Sequence, residues 1–317
     1  MQDPQAGLRN FKPRHDYFVA IDSDGCAFDS MEIKHKECFI PNIIRYWNLQ
    51  PVSKYAREAA EFINLYSRWR GLNRYPAIVM VLDLLKEWPE VQKRHPVIPD
   101  AESLRKWTKE ETNLSIPSLK AKVEATGDET LKRALQWSEA INQSVREMVH
   151  GVPLFPLVRE SLEKIAQWAD IIVCSATPFQ DLKREWEEHD IAQFARVLAG
   201  QEMGSKMEHI QLASEGRYTE DKMLMVGDAL GDLQAATANK ASFYPINPGE
   251  EDQSWERFLN EAANRFRDGT YKGDYELQMI AEFERILPST PPLEFGLVRI
   301  PTRAHCHPNA TRCALVI

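Results

Sequence analysis

Short apolar runs alternate along this chain with long stretches whose apolar positions recur at three- and four-residue intervals. Tyr17-Phe18-Val19-Ala20-Ile21 and Met223-Leu224-Met225-Val226 are brief, β-prone or apolar, and end on Asp and Gly. Length and punctuation together predict buried strands of a parallel sheet. Ile171-Ile172-Val173-Cys174 predicts a third strand. Between the first and third runs the period becomes helical, over residues 55–69, 76–88, 101–112, 118–125 and 129–149, in segments rich in Leu, Lys, Glu, Arg and Trp. A further helix over 157–168 leads into the third run, and acidic helical segments at 252–267 and 275–287 are expected to pack on the strands.

Helix-start chemistry refines two boundaries. After the third run, Thr177 reads as an N-cap with Pro178 in the first helical position and Gln180 closing a capping box. That leaves Ser175 free at the strand's carboxyl end, where its hydroxyl can donate to an anion. In Gly204-Ser205-Lys206-Met207-Glu208, Ser205 and Glu208 form a capping box, so Lys206 falls at the first helical position. A cation there opposes the helix dipole and calls for negative charge nearby.

That charge is available. The first run opens onto Asp22-Ser23-Asp24-Gly25 and the second onto Gly227-Asp228-Ala229-Leu230-Gly231-Asp232. Asp and Gly also mark ordinary turns, but here two acidic clusters follow two strands. Ligands of open α/β sheets bind beyond the carboxyl ends of strands, and hard carboxylate oxygens with few protein ligands suit Mg2+ and a phosphate. Asp232 also reads as the N-cap of a helix over 232–238.

The order of a DxD cluster, a serine, a lysine and a GDxxGD cluster, each at a strand end, resembles the haloacid dehalogenase superfamily of phosphatases. The resemblance spans residues 17–247. It implies a doubly wound parallel α/β sheet, Rossmann-like, with the first-motif strand central. Asp22 would be the nucleophile, Asp24 the general acid and base, Ser175 the phosphate-binding hydroxyl and Lys206 the neutraliser of charge. Asp22, Asp24, Asp228 and Asp232 would form the Mg2+ site, with Asp232 behind the others. Cys26 departs from the Thr or Val common at its place.

About 150 residues separate the first two motifs, far more than the dozen or so that a crossover needs. An inserted helical domain is therefore expected, resembling the cap that closes over small substrates in this superfamily. The expected division is a core of 1–32 and 151–248, a cap of 33–150, a helical extension of 249–287 and a flexible tail of 288–317. The cap concentrates Arg68, Arg70 and Arg74 around Gly71 and Asn73, and Arg70, Asn73 and Arg74 are its candidate substrate-binding residues, since guanidinium forks suit carboxylate or phosphate groups. Lys34, His35 and Lys36 form a second basic spot, relevant because phosphonate-cleaving relatives use a cap lysine to form an imine. His305, Cys306, His307 and Cys313 offer zinc-type ligands at no usual spacing.

Composition narrows the field further. The 317 residues carry a net charge of −8 with 27% charged residues, which argues against nucleic acid or an anionic membrane surface as the main partner. Residues 1–14 lack a signal-peptide core and no run is long enough to span a bilayer, so a cytoplasmic protein is expected. Five scattered cysteines suggest reduced thiols. The expected activity is Mg2+-dependent hydrolysis of a small phosphomonoester, with a phosphosugar suggested by resemblance. A phosphonatase, a phosphomutase or a binding protein on the same fold are the alternatives.

Overall fold

The computed structural model describes residues 3–291. The tail residues His305, Cys306, His307 and Cys313 lie outside the described residues. Five strands, β1 (Tyr17–Ile21), β2 (Ala169–Cys174), β3 (Ala195–Ala199), β4 (Met223–Gly227) and β5 (Ser242–Pro245), form one sheet in the order β3-β2-β1-β4-β5. Every pairing is parallel, as the continuous apolar content of β1, β2 and β4 demands. The sheet is doubly wound with β1 central. The chain runs from β1 outward to β3, then returns beside β1 as β4, which makes the carboxyl ends of β1 and β4 the point where strand order reverses.

Alternation along the strands divides the core into two layers. Val19, Ile21, Ile171, Val173, Leu224 and Val226 pack on one face with Leu162, Trp186, Trp255 and Phe258. Phe18, Ala20, Ile172, Cys174, Met223 and Met225 pack on the other with Leu8, Ile210, Ala236 and Phe283. Both faces are thus covered by helices. Burying a Trp or Phe side chain contributes roughly 1.5–3 kcal/mol each, so these layers anchor the loops above them.

Between β1 and β2 the chain builds a helical body with its own core, around Trp47, Tyr75, Leu82, Trp107, Trp137 and Ile141. Its main helices are Ile40–Tyr46, Ser53–Asn64, Arg74–Glu87, Glu102–Glu110, Ile116–Thr126 and Glu129–Met148. The helix expected to reach residue 69 ends at Asn64, because Ser67 folds back to bond Ile63 O and starts a loop. Entry to the body is a helix that widens into a π-type turn over Lys34–Phe39, a local distortion often found at functional sites.

After β5, the helix Glu251–Arg257 continues through a π-type turn into Ala263–Arg267, and Asp274–Ile286 follows. Trp255 Nε1 donates to Cys26 O at 2.8 Å, so this extension braces the loop after β1. Cys26, Cys38 and Cys174 are buried free thiols. Among the described residues no helix is long and apolar enough to cross a membrane.

Candidate active site

The end of β1 is tied to β4 by Asp22 N, which donates to Val226 O at 2.9 Å. This bond fixes the first residue after the strand and turns its side chain into the switch point. The Asp22 carboxylate accepts Ser23 N at 2.7 Å, and Lys206 Nζ lies 2.8 Å from Asp22 Oδ2 and 2.6 Å from Asp232 Oδ1. Lys206 is delivered as the sequence predicts, at the start of the helix Lys206–Ser214, behind a Ser205–Glu208 capping box.

Asp232 differs from its expectation as a helix cap. The helix is Leu230–Ala238, with Ala229 at the cap position and Asp232 reaching back to accept Ala229 N at 3.1 Å. The reach is possible because Gly227 has no side chain: a Cβ there would sit 2.5 Å from Asp232 Cβ, Cγ and Oδ2. Asp232 therefore holds both the loop and Lys206.

Asp228 receives the cap. Arg70 Nε donates to Asp228 Oδ2 at 2.6 Å, while Arg70 Nη1 is fixed by Leu65 O at 3.1 Å. Gly25, at φ +74°, makes room for this pair, since a Cβ there would collide with Arg70 Nη2 and Asp228 Oδ2. Arg68 N also bonds Pro288 O at 3.2 Å, so the loop after the helix Ser53–Asn64 spans the cleft from core to extension.

Asp22, Asp228 and Asp232 each offer an oxygen within 4.8 Å of the others, all buried. Asp228 Oδ1 is enclosed without a hydrogen-bond partner among the described residues. An orphaned carboxylate oxygen in a set of hard donors fits a divalent cation. Three carboxylates share two cations, Lys206 and Arg70, so the trio holds a proton to unusually high pH. Burial pushes Asp22 up to about 7 against the pull of Lys206, and Asp232 up to about 6. Asp228 is raised by burial as well, with Arg70 opposing.

Asp24 has a different environment, and its carboxylate is not part of that trio. Lys34 Nζ and Ser30 Oγ both bond Asp24 Oδ1, and Thr177 Oγ1 donates to Oδ2 at 2.7 Å. The Asp24 side chain, expected to help hold a metal, thus stands outside the trio with three donors from the protein on it. Burial alone would raise its pKa, but the Lys34 charge and these hydrogen bonds outweigh it and hold Asp24 down to about 2. Lys34 also lies 3.3 Å from Glu185 Oε1. Burial and the Asp24 charge push Glu185 up to about 7.

Thr177 is a second correction. The helix after β2 starts at Phe179 with Pro178 at its cap position, and Phe179 N is satisfied by Glu202 Oε2 at 2.9 Å. A carboxylate from beyond β3 thus does the capping, which frees the threonine hydroxyl for Asp24. Thr177→Val should cost about 1.5–3 kcal/mol, the usual contribution of a hydrogen bond to a charged group. Urea denaturation measures it, and an unchanged midpoint would show the bond to be idle.

Ser175 is buried at the same sheet edge, two residues beyond Val173, the neighbour of Ile21 in the β1–β2 register. Its N donates to Ala199 O at 2.9 Å, and its Oγ accepts Thr177 N at 3.1 Å. Arg74 and Asn73 belong to the cap. Asn73 caps the helix Arg74–Glu87 by accepting Tyr75 N at 3.1 Å and donates to Leu114 O at 3.0 Å. Both ends of that amide, expected to bind substrate, are engaged within the protein. Arg74 Nη1 bonds Ser138 Oγ at 3.0 Å and Asn142 Oδ1 at 2.8 Å.

No protein-family model matches the chain, and no curated protein does. Solved structures are similar at low identity. A provisionally assigned haloacid dehalogenase-like hydrolase from Bacteroides fragilis shares 15% identity over 75% of this chain and 93% of that one, at a TM-score of 0.48. A hydrolase from Pseudomonas syringae shares 13% over 80% and 98%, at 0.45. A HAD-superfamily hydrolase of subfamily IA from Geobacter sulfurreducens shares 14% over 74% and 89%, at 0.37. The chemistry of the site rests on the side chains described above.

Proposed function

We propose that the protein is a Mg2+-dependent phosphomonoester hydrolase working through an aspartyl-phosphate on Asp22. The observation that carries this reading is the pairing of Asp22 with the orphaned Asp228 oxygen and Lys206 at the switch point, with Asp24 held two residues away. Four carboxylates (Asp22, Asp24, Asp228, Asp232) face three cations (Lys34, Arg70, Lys206). With all four ionised, a phosphate dianion entering such a site meets net repulsion. Asp22 and Asp228 would hold the divalent ion, with Asp232 behind them, and when bound it supplies the charge that lets carboxylate and phosphate approach.

In the first step an Asp22 oxygen bonds to phosphorus as the ester oxygen leaves, and Asp24 gives that oxygen a proton. Lys206 offsets the negative charge on Asp22 and the phosphoryl oxygens. In the second step Asp24 takes a proton from water, whose oxygen bonds to phosphorus and releases Asp22. Asp24 is ionised in the free site, ready for the second role. For the first it needs a proton, which the charge of an arriving phosphate favours and Lys34 opposes.

The environment of the lysines disfavours phosphonate cleavage through an imine, which needs a neutral amine. Burial would neutralise Lys34, but Asp24 and Glu185 overcome it and keep it charged. Lys36 is held charged by Glu32. Hydrolysis of an aryl phosphate by the magnesium-loaded protein should fall roughly a hundredfold or more in excess chelator, since a metal supplies several kcal/mol of charge stabilisation. Undiminished turnover in chelator would remove the metal from the reading.

A further inference from the structure

The cations at the catalytic cleft each face a carboxylate: Lys34 faces Asp24 and Glu185, Arg70 faces Asp228, and Lys206 faces Asp22 and Asp232. Arg74 does not. All its hydrogen bonds run from Nη1 to neutral groups, Ser138 O at 3.3 Å, Ser138 Oγ at 3.0 Å and Asn142 Oδ1 at 2.8 Å. The Nε and Nη2 edge has no hydrogen-bond partner and no carboxylate within ion-pair distance among the described residues. Burial without a counter-charge lowers the Arg74 pKa.

Its position connects it to the cleft. The guanidinium lies 5.2 Å from the centre of the Phe39 ring, and the His35 ring, tilted against Phe39, has its centre 4.6 Å from that of Phe39. His35 follows Lys34, which bonds Asp24, and shares the Phe39 ring as a neighbour with Arg74. The charges of Arg70, Asp24, Lys34 and Arg74 all bear on His35, which burial, first of all, keeps neutral with its pKa down to about 3. His35 Nδ1 is buried and has no partner among the described residues.

We propose that Arg74 and His35 form a subsite in the cap for a second anionic group, a carboxylate or phosphate carried on the leaving-group side of the substrate. The open side edge of a guanidinium presents two N–H groups in the geometry of a paired oxyanion. Nη1, spent on Ser138 and Asn142, fixes the direction of that edge, and Phe39 fixes its plane. An oxyanion there would supply the missing counter-charge and a partner for His35. This rests on the hydrolase reading above and narrows it to substrates bearing two anionic ends.

Calorimetric titration of the magnesium-loaded protein with phosphonoacetate and with methylphosphonate tests the subsite without turnover. Phosphonoacetate is expected to bind about ten- to a hundredfold more tightly, the usual value of charge-assisted hydrogen bonds. In Arg74→Gln the ratio of the two affinities should fall toward one, and in Arg74→Lys, which keeps the charge and loses the fork, it should fall part of the way. Equal affinities in the wild type, or the full ratio retained in folded Arg74→Gln, would overturn the proposal. Should Arg74→Gln not fold, the ratio is read in His35→Phe, which keeps a ring beside Phe39 and removes Nδ1, and an unchanged ratio there counts against it. A preserved binding preference with no hydrolysis of any phosphate ester would sink the hydrolase reading and leave the subsite standing.

Discussion

Asp22→Asn is expected to lower turnover of any phosphate ester by roughly 10³-fold or more, because an amide cannot form the covalent intermediate and loss of a nucleophile removes the whole pathway. The same variant should be more stable than the wild type in chelator at pH 8. The sign follows from the environment of the carboxyl. Asp22 is pushed from the ordinary value of 3.8 up to about 7, chiefly by burial. The unfolded chain ionises first, so native stability is lost as pH rises from about 4 through about 7. Asparagine carries none of that loss. Thermal melts across pH should therefore show an advantage for Asp22→Asn at pH 8 that shrinks toward pH 4. A variant that is inactive because it is unfolded would show the opposite.

The second large effect concerns Asp24. Asp24→Asn removes the group that serves both proton transfers and should cost about 10²- to 10⁴-fold in kcat/KM, with alkyl esters at the upper end because their leaving oxygens need the proton most. Its stability effect has the reverse sign to that of Asp22. Asp24 is held down to about 2, burial being outweighed by Lys34, Ser30 and Thr177. It contributes stability above the ordinary value of 3.8 that is lost as pH falls toward 2. Asp24→Asn should therefore melt lower than the wild type at pH 7, and the gap should close in acid. Equal losses for aryl and alkyl esters would assign Asp24 a structural role.

The parts of this site carried by local sequence were legible. β1 and β4 declare themselves as apolar runs ending in Asp and Gly, and Ser205 with Glu208 places Lys206 at the head of its helix. A helical insertion follows from spacing, and the sheet order agrees with the doubly wound expectation. What local sequence hides is the competition between partners far apart in the chain. Thr177 has a sound capping pattern, yet Glu202 takes the cap and Thr177 turns to Asp24, 153 positions away. Lys34 stands out as basic, but its bond to Asp24 depends on a helix widened into a π-type turn, which no periodicity predicts. Glu185 looks like one more polar residue of its helix, yet it is buried on the same face as Leu182 and Trp186. Arg70 was recognisable as a candidate, whereas its partner Asp228, 158 positions on, emerges only once the cap loop lies across the cleft. Asn73 shows the converse, since an amide beside arginines suggests binding and serves as a cap.

The central claim is that phosphoryl transfer passes through the side chain of Asp22. The most direct measurement is to quench the magnesium-loaded protein during turnover, reduce it with borohydride and map the digest by mass spectrometry. An acyl phosphate is reduced to the alcohol while a free carboxylate is not, so the account predicts homoserine in place of Asp22 and at no other carboxylate, dependent on substrate. Substrate-dependent reduction at another residue, or turnover with Asp22 unmodified under conditions where the intermediate accumulates, would contradict it.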